Sequence, residues 1–189
     1  LFMVQTRTAL RDNAMGSQSA AATLTRVNHA LAEENVSQTF VTMFYFVCDV
    51  RTGKVTYCNA GHNWPLWLSD GRVRPLVSPD RSGCNPVCGV IPELAYTESA
   101  ITLAPGDTLL LFTDGVTEAF GPGHVMYGDE RLEVFAGRVA RDPAAEIVRG
   151  LFGDVAAFRQ QEEVSDDITV LVFKYLGLPS EPSQPNPRR

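Results

Sequence analysis

The sequence predicts an α+β domain of layered type, with strands in the middle and helices in two pairs. Three observations carry that expectation: apolar residues at helical spacing near the start, short apolar runs separated by turn residues after residue 40, and a second helical stretch enclosed by two continuous apolar runs. With 189 residues, 44% of them hydrophobic and 20% charged, the chain can bury a core as one domain without disulfide or metal support. A formal charge of −6 argues against a protein that wraps phosphate backbones, so no nucleic acid partner is expected. No apolar run approaches the ~18 residues that span a bilayer, so no membrane partner is expected either. Four cysteines in a domain of this size read as reduced thiols and not as a disulfide framework, which favours a cytoplasmic setting.

Taken in order, residues 1–12 carry apolar groups at helical spacing, and a second helix follows with Ser19 as its cap and Leu24, Val27 and Leu31 as its stripe. From Phe40 onward, strands alternate with turns at Thr52-Gly53, Asn59-Ala60-Gly61, Asp70-Gly71 and Pro105-Gly106-Asp107, which predicts an antiparallel meander. Residues 108–113 and 168–173 are continuously apolar, the pattern of strands covered on both faces, and are expected to be the central strands. Between them a helix is expected around 130–138, and another opens at Asp142-Pro143, a capping residue followed by proline at the first helical position. Pro179, Pro182, Pro185 and Pro187 then accumulate among polar residues. Such a composition cannot bury enough apolar surface to order itself, so the domain is expected to cover residues 1–176, with 177–189 a disordered tail.

Two carboxylate stretches flank the continuous apolar runs. In Thr113-Asp114-Gly115-Val116-Thr117-Glu118 an acid leaves a buried strand, and Gly115 is expected to let the backbone turn sharply there. In Ser165-Asp166-Asp167-Ile168-Thr169 two adjacent acids precede the other run, and strand alternation would send their side chains to opposite faces. Either stretch alone also reads as an ordinary solvated turn. Together they gain meaning, because in an antiparallel pair the end of one strand lies beside the start of its neighbour, so Asp114 and Asp166 can converge. Carboxylates without histidine suit hard divalent ions such as magnesium or manganese. A two-ion site of that kind acidifies water and clamps a phosphoryl group for in-line displacement, which points to phosphate-ester hydrolysis.

With Phe40-Val41-Thr42-Met43-Phe44-Tyr45, Tyr57-Cys58-Asn59-Ala60-Gly61-His62-Asn63 and Leu103-Ala104-Pro105-Gly106-Asp107 added to these two stretches, the chain resembles the metal-dependent (PPM-type) protein serine/threonine phosphatases. The closer resemblance is to their bacterial SpoIIE/RsbU branch. It runs from about Leu1 to Tyr175 and implies an α-β-β-α sandwich of two antiparallel sheets flanked by helical pairs. It implies metal ligands at Asp114, Gly115, Asp166 and Asp167, with Asp166 a better match for the second ligand than Asp167. Asp114 and Asp166 would be the catalytic pair. Two Mn2+ or Mg2+ ions in the complete domain are implied as cofactors, and a phosphorylated anti-anti-sigma factor of STAS type as partner. An upstream sensory or receiver domain and a homodimer belong to the same set of expectations. The family also carries a Gly-Asp-Val-Ser-Gly-Lys/His-Gly stretch whose aspartate bridges both metals. No counterpart stands in these residues, so the chain is expected to begin inside the first helix, with the first strands missing and metal binding weak. A non-catalytic module that keeps the fold and binds its partner is the other reading.

Cys58, His62, Cys84 and Cys88 fall within the loose range of zinc spacing, but Cys58 sits in an expected strand where it would act as a small buried hydrophobe, so zinc is not expected. No proton-transfer role is assigned to His62, and His29 and His124 read as structural or solvated. Beside the principal pair, Asp107, Glu118 and Asp129 are the nearest further acids. Residues 121–124 read as a flap or surface loop beside the site.

Overall fold

Two helices open the chain, α1 (Phe2–Ala14) and α2 (Ala20–Glu33), packed side by side. The computed structural model describes residues 2–178 apart from 18, 34, 36, 37, 79, 161 and 163–165. The start of α2 is capped as the sequence predicts: Ser19 Oγ accepts the Ala22 N–H at 3.1 Å. A carboxylate from across the chain adds to it, since Glu98 Oε2 accepts both the Ser19 hydroxyl and the Ala21 N–H, which satisfies a second of the helix's open donors. Leu24, Val27 and Leu31 are buried along one stripe.

The strands are β1 (Met43–Asp49), β2 (Lys54–Ala60), β3 (Leu66–Ser69), β4 (Arg72–Pro75), β5 (Cys84–Asn85), β6 (Ser99–Thr102), β7 (Thr108–Phe112), β8 (Phe120–Gly121), β9 (Val125–Met126) and β10 (Val170–Lys174); a short helical turn, α3 (Asp114–Thr117), follows β7, and α4 (Gly128–Val139) and α5 (Ala144–Arg159) precede β10. The pairing distributes the expected antiparallel hairpins between two sheets, as the family resemblance implies. One sheet joins β1 to β2, with β6 and the parallel β5 along the other side of β2; a second runs β10-β7-β3-β4. The chain makes a hairpin in the first sheet, crosses to the second for another, returns for β5 and β6, and crosses again for β7. Local turn residues show each hairpin but not which sheet it joins.

The two sheets stack, and helices cover both outer faces, an α-β-β-α arrangement. Alternation along the strands feeds adjacent layers. Val55 and Tyr57 of β2 pack with Leu109 and Leu111 of β7 between the sheets, whereas Cys58 and Ala60 face α2 and Leu110 and Phe112 face α4 and α5. β7 is buried along its whole length, as its composition predicts. The other expected central strand is corrected: among the described residues β10 pairs with β7 alone and stands at the edge, with Leu171 51% exposed. Its apolar run reflects packing on α5 and on the other sheet through alternate residues, not enclosure between neighbours. At the start of α5, Pro143 occupies the N-cap with ψ 147°, and no side chain caps the helix, so the expected Asp142 cap is absent. α4 and α5 are tied by Asp154, which accepts from Tyr127 Oη at 2.7 Å and from Arg138 Nη2 at 2.9 Å.

No helix among the described residues is long and apolar enough to cross a membrane. Most of the expected tail, residues 179–189, lies outside the described residues.

Candidate functional site

β7 and β10 pair antiparallel in a register that sets Val170 opposite Phe112, and the segments carrying the acids leave this pair side by side. Thr113 fastens them. Its hydroxyl donates to the Asp167 carbonyl at 3.0 Å and accepts the Thr169 N–H at 2.9 Å, while its own N–H donates to the Thr169 carbonyl at 3.1 Å. The expected convergence of residues 114 and 166 is therefore present in the backbone. Ser165, the first residue of that stretch, lies outside the described residues.

Gly115 is needed for a different reason from the expected one. It does not adopt a positive φ; it lies inside α3, and a Cβ there would stand 2.5 Å from the Asp167 carbonyl oxygen and 3.4 Å from that of Asp166. Its missing side chain is what lets the two segments touch. The carboxylates of Asp114 and Asp166 each accept the N–H of the following residue, at 3.0 and 2.7 Å, and Asp114, Asp166 and Asp167 are all exposed. Residues 166–169 precede β10, so strand alternation does not separate Asp166 from Asp167 in the manner expected.

Beside Asp114 opens a cavity of about 430 Å³, lined on one side by Glu118, Asp129 and Glu133 and on another by His62, Asn63 and Trp64. Of the further acids anticipated, Glu118 and Asp129 belong to this cavity. Asp107 does not: it lies at the opposite end of β7, roughly 17 Å of strand away, buried and accepting from Trp67 Nε1 at 3.1 Å and Ala104 N at 3.0 Å. Among the described residues no ion pair involves Asp114, Glu118, Asp129 or Glu133.

His62 belongs to the turn 59–63, which the family resemblance places at the pocket rim with no proton-transfer role for the imidazole, and it lines the cavity. It sits at the end of β2, where the buried Asn59 side chain grips its backbone from both sides, accepting the His62 N–H at 2.7 Å and donating to the His62 carbonyl at 2.8 Å. Gly61 before it has φ 73°, and a Cβ there would stand 2.6 Å from Val87 Cγ1. Burial pushes the His62 imidazole below its ordinary value, and the Asp114 carboxylate pulls partly the other way. The Asn-Ala-Gly-His spacing, an Asx-type grip three residues long, was the available signal.

An all-oxygen donor set of Asp114, Asp166 and Asp167 carboxylates and the Gly115 carbonyl fits a hard divalent ion in kind. Among the described residues no three acidic, imidazole or thiol groups gather as a complete ligand cluster. Cys58 and Cys88 are buried together against α2, Cys84 is exposed and Cys48 is half-buried. His29 pairs with Glu33 at 3.4 Å on the surface of α2, a partner one helical turn away that the sequence reading overlooked. Residues 121–124 form the turn of the β8–β9 hairpin, where His124 meets Phe120 edge-on.

A family model described as Stage II sporulation protein E (SpoIIE) matches residues 1–176. The chain is similar to Protein IcfG of Synechocystis sp., 35% identical over 95 residues that cover 49% of this chain and 14% of that protein. It is also similar to phosphoserine phosphatase RsbU of Bacillus subtilis, 25% identical over 145 residues, covering 76% of this chain and 42% of that one. Among solved structures, the SiaA-PP2C domain of Pseudomonas aeruginosa superposes with a TM-score of 0.78 at 26% identity, covering 92% of this chain and 69% of that one. The Mn-presoaked phosphatase domain of the cell fate determinant SpoIIE from Bacillus subtilis superposes with a TM-score of 0.62 at 18% identity, covering 93% and 76%, a likeness of fold. The chain spans less than half the length of these two curated relatives.

Proposed function

This chain belongs to the SpoIIE family of PP2C-type phosphatase domains, and from that premise we propose that it hydrolyses phosphoserine or phosphothreonine on a partner protein in cytoplasmic bacterial signalling. The observation that carries the reading is the Thr113 bridge, which brings the Asp114 and Asp166 segments together beside a cavity large enough for a phosphorylated side chain. Asp114, Gly115 and Asp166, with Asp167 as a weaker candidate, would hold one or two Mn2+ or Mg2+ ions. Such ions supply charge neutralisation at the phosphoryl oxygens and acidify water.

The chain's own residues do the placing. Gly115 and Thr113 set the distance between the two acidic segments, and the cavity beside Asp114 receives the phosphorylated residue. The similarity to a protein described as a phosphoserine phosphatase supports the substrate class, and a phosphorylated anti-anti-sigma factor of STAS type is the partner we propose. In the full-length protein, Asp114→Asn and Asp166→Asn should each lower manganese-dependent turnover of a phosphoserine protein by at least roughly 100-fold, because several kcal/mol of charge stabilisation leave with each ligand, while circular dichroism stays unchanged. Asp167→Asn should cost less. Near-normal turnover in either of the first two variants would remove the assignment.

A further inference from the structure

The cavity beside Asp114 is chemically divided by element. Its carboxylates come from α3, from Glu118 just after it and from α4; its N–H donors, the His62 ring, the Asn63 amide and the Trp64 indole, come from the three residues that follow Gly61. Leu66, Pro75, Phe112 and Leu132 supply apolar lining. A phosphate monoester needs both kinds of group, positive charge at some of its oxygens and hydrogen-bond donors at others. The carboxylate side can serve it only through bound cations, so the donor side is the one through which the polypeptide itself can hold the anion.

We infer that the turn 62–64 is the phosphoryl-binding wall of this site, with His62 Nε2–H its principal donor. The inference rests on the proposed phosphatase reading and adds the residue that grips the phosphate. Three features prepare His62 for it. Asn59 fixes its backbone through two hydrogen bonds, so the ring position is set before substrate arrives. Thr42 Oγ1 lies 3.4 Å from His62 Nδ1; a hydroxyl donating there leaves the ring proton on Nε2, the nitrogen then free to donate to a ligand. Gly61, at φ 73°, lets the turn pass close to Val87, where a Cβ would stand 2.6 Å from Val87 Cγ1.

Inorganic phosphate is the probe. In the full-length protein with manganese, its competitive inhibition constant against a phosphoserine peptide should rise about tenfold in His62→Ala, the scale of one lost hydrogen bond to a charged group. The same constant should be largely restored in His62→Gln, which keeps an N–H donor on the same clamped backbone. Thr42→Val should shift it in the same direction by a smaller factor. A purely structural His62 would lower the melting temperature without this pattern of loss and rescue. An unchanged phosphate constant in folded His62→Ala, with Asp114→Asn still inactive, overturns the donor wall and leaves the phosphatase reading standing. Loss in His62→Ala without rescue by glutamine overturns it too. If the wild-type protein hydrolyses no phosphoester, the underlying reading falls and the donor wall with it.

Discussion

Cys58 lies in the apolar cluster between α2 and the first sheet, where burial pushes its thiol up to about 12, and Cys88 beside it is also raised by burial. Cys84, the residue after Gly83, is exposed. Because the thiolate is the reactive form, iodoacetamide at pH 8 should label Cys84 first in the native protein, Cys48 more slowly, and Cys58 and Cys88 only after denaturation. Peptide mapping by mass spectrometry checks this; native-state labelling of Cys58 at the rate of Cys84 would contradict the burial. Spacing alone puts Cys58, His62, Cys84 and Cys88 within the loose range of zinc ligation, while the expected strand around Cys58 already marks that thiol as a buried hydrophobe. Burial groups Cys58 with Cys88 and sets both apart from exposed Cys84, and the cover comes from α2, some 30 residues from Cys58 in sequence.

Gly115 shows how elements meet at the site. Chain order and the two apolar runs made the approach of residues 114 and 166 legible, because antiparallel pairing forces it. The reason for glycine was not legible: an Asp-Gly pair reads as a turn needing positive φ, while the structure uses the absence of a side chain inside α3 to admit the Asp167 carbonyl. Gly115→Ala must push β7 and β10 apart at this end. It should destabilise the fold by ~1–3 kcal/mol, the scale of overpacking, and weaken manganese binding along with it. Thermal unfolding together with manganese titration calorimetry tests both, and wild-type values in each would show that the contact is slack. Pro143 teaches the same lesson at smaller scale. Asp-Pro announces a helix start correctly, and the position of the proline within the cap is settled by how the loop after α4 arrives.

Across the whole molecule, three apolar layers alternate with two sheets, and β7, like β2, faces two of them at once. Leu109 is fully buried between the sheets against Tyr57, Val55 and Tyr175. Leu109→Ala should cost ~2–5 kcal/mol and should raise amide exchange in β2 as well as in β7, because the cavity opens between them. A denaturant midpoint within ~1 kcal/mol of wild type, or exchange confined to β7, would show that the sheets are held together elsewhere. From the sequence by itself came the α+β class, the paired helices with their Ser19 cap, the buried character of β7 and the two acidic segments at its end, together with the family resemblance carried by five motifs. These are local signals, since periodicity, capping and turn chemistry act over a few residues. Which hairpin joins which sheet, the edge position of β10 among the described residues and the placing of His62 beside Asp114 were decided only by the tertiary structure. Each depends on which surfaces bury one another across tens of residues, and a strand's side-chain alternation is the same whichever sheet receives it.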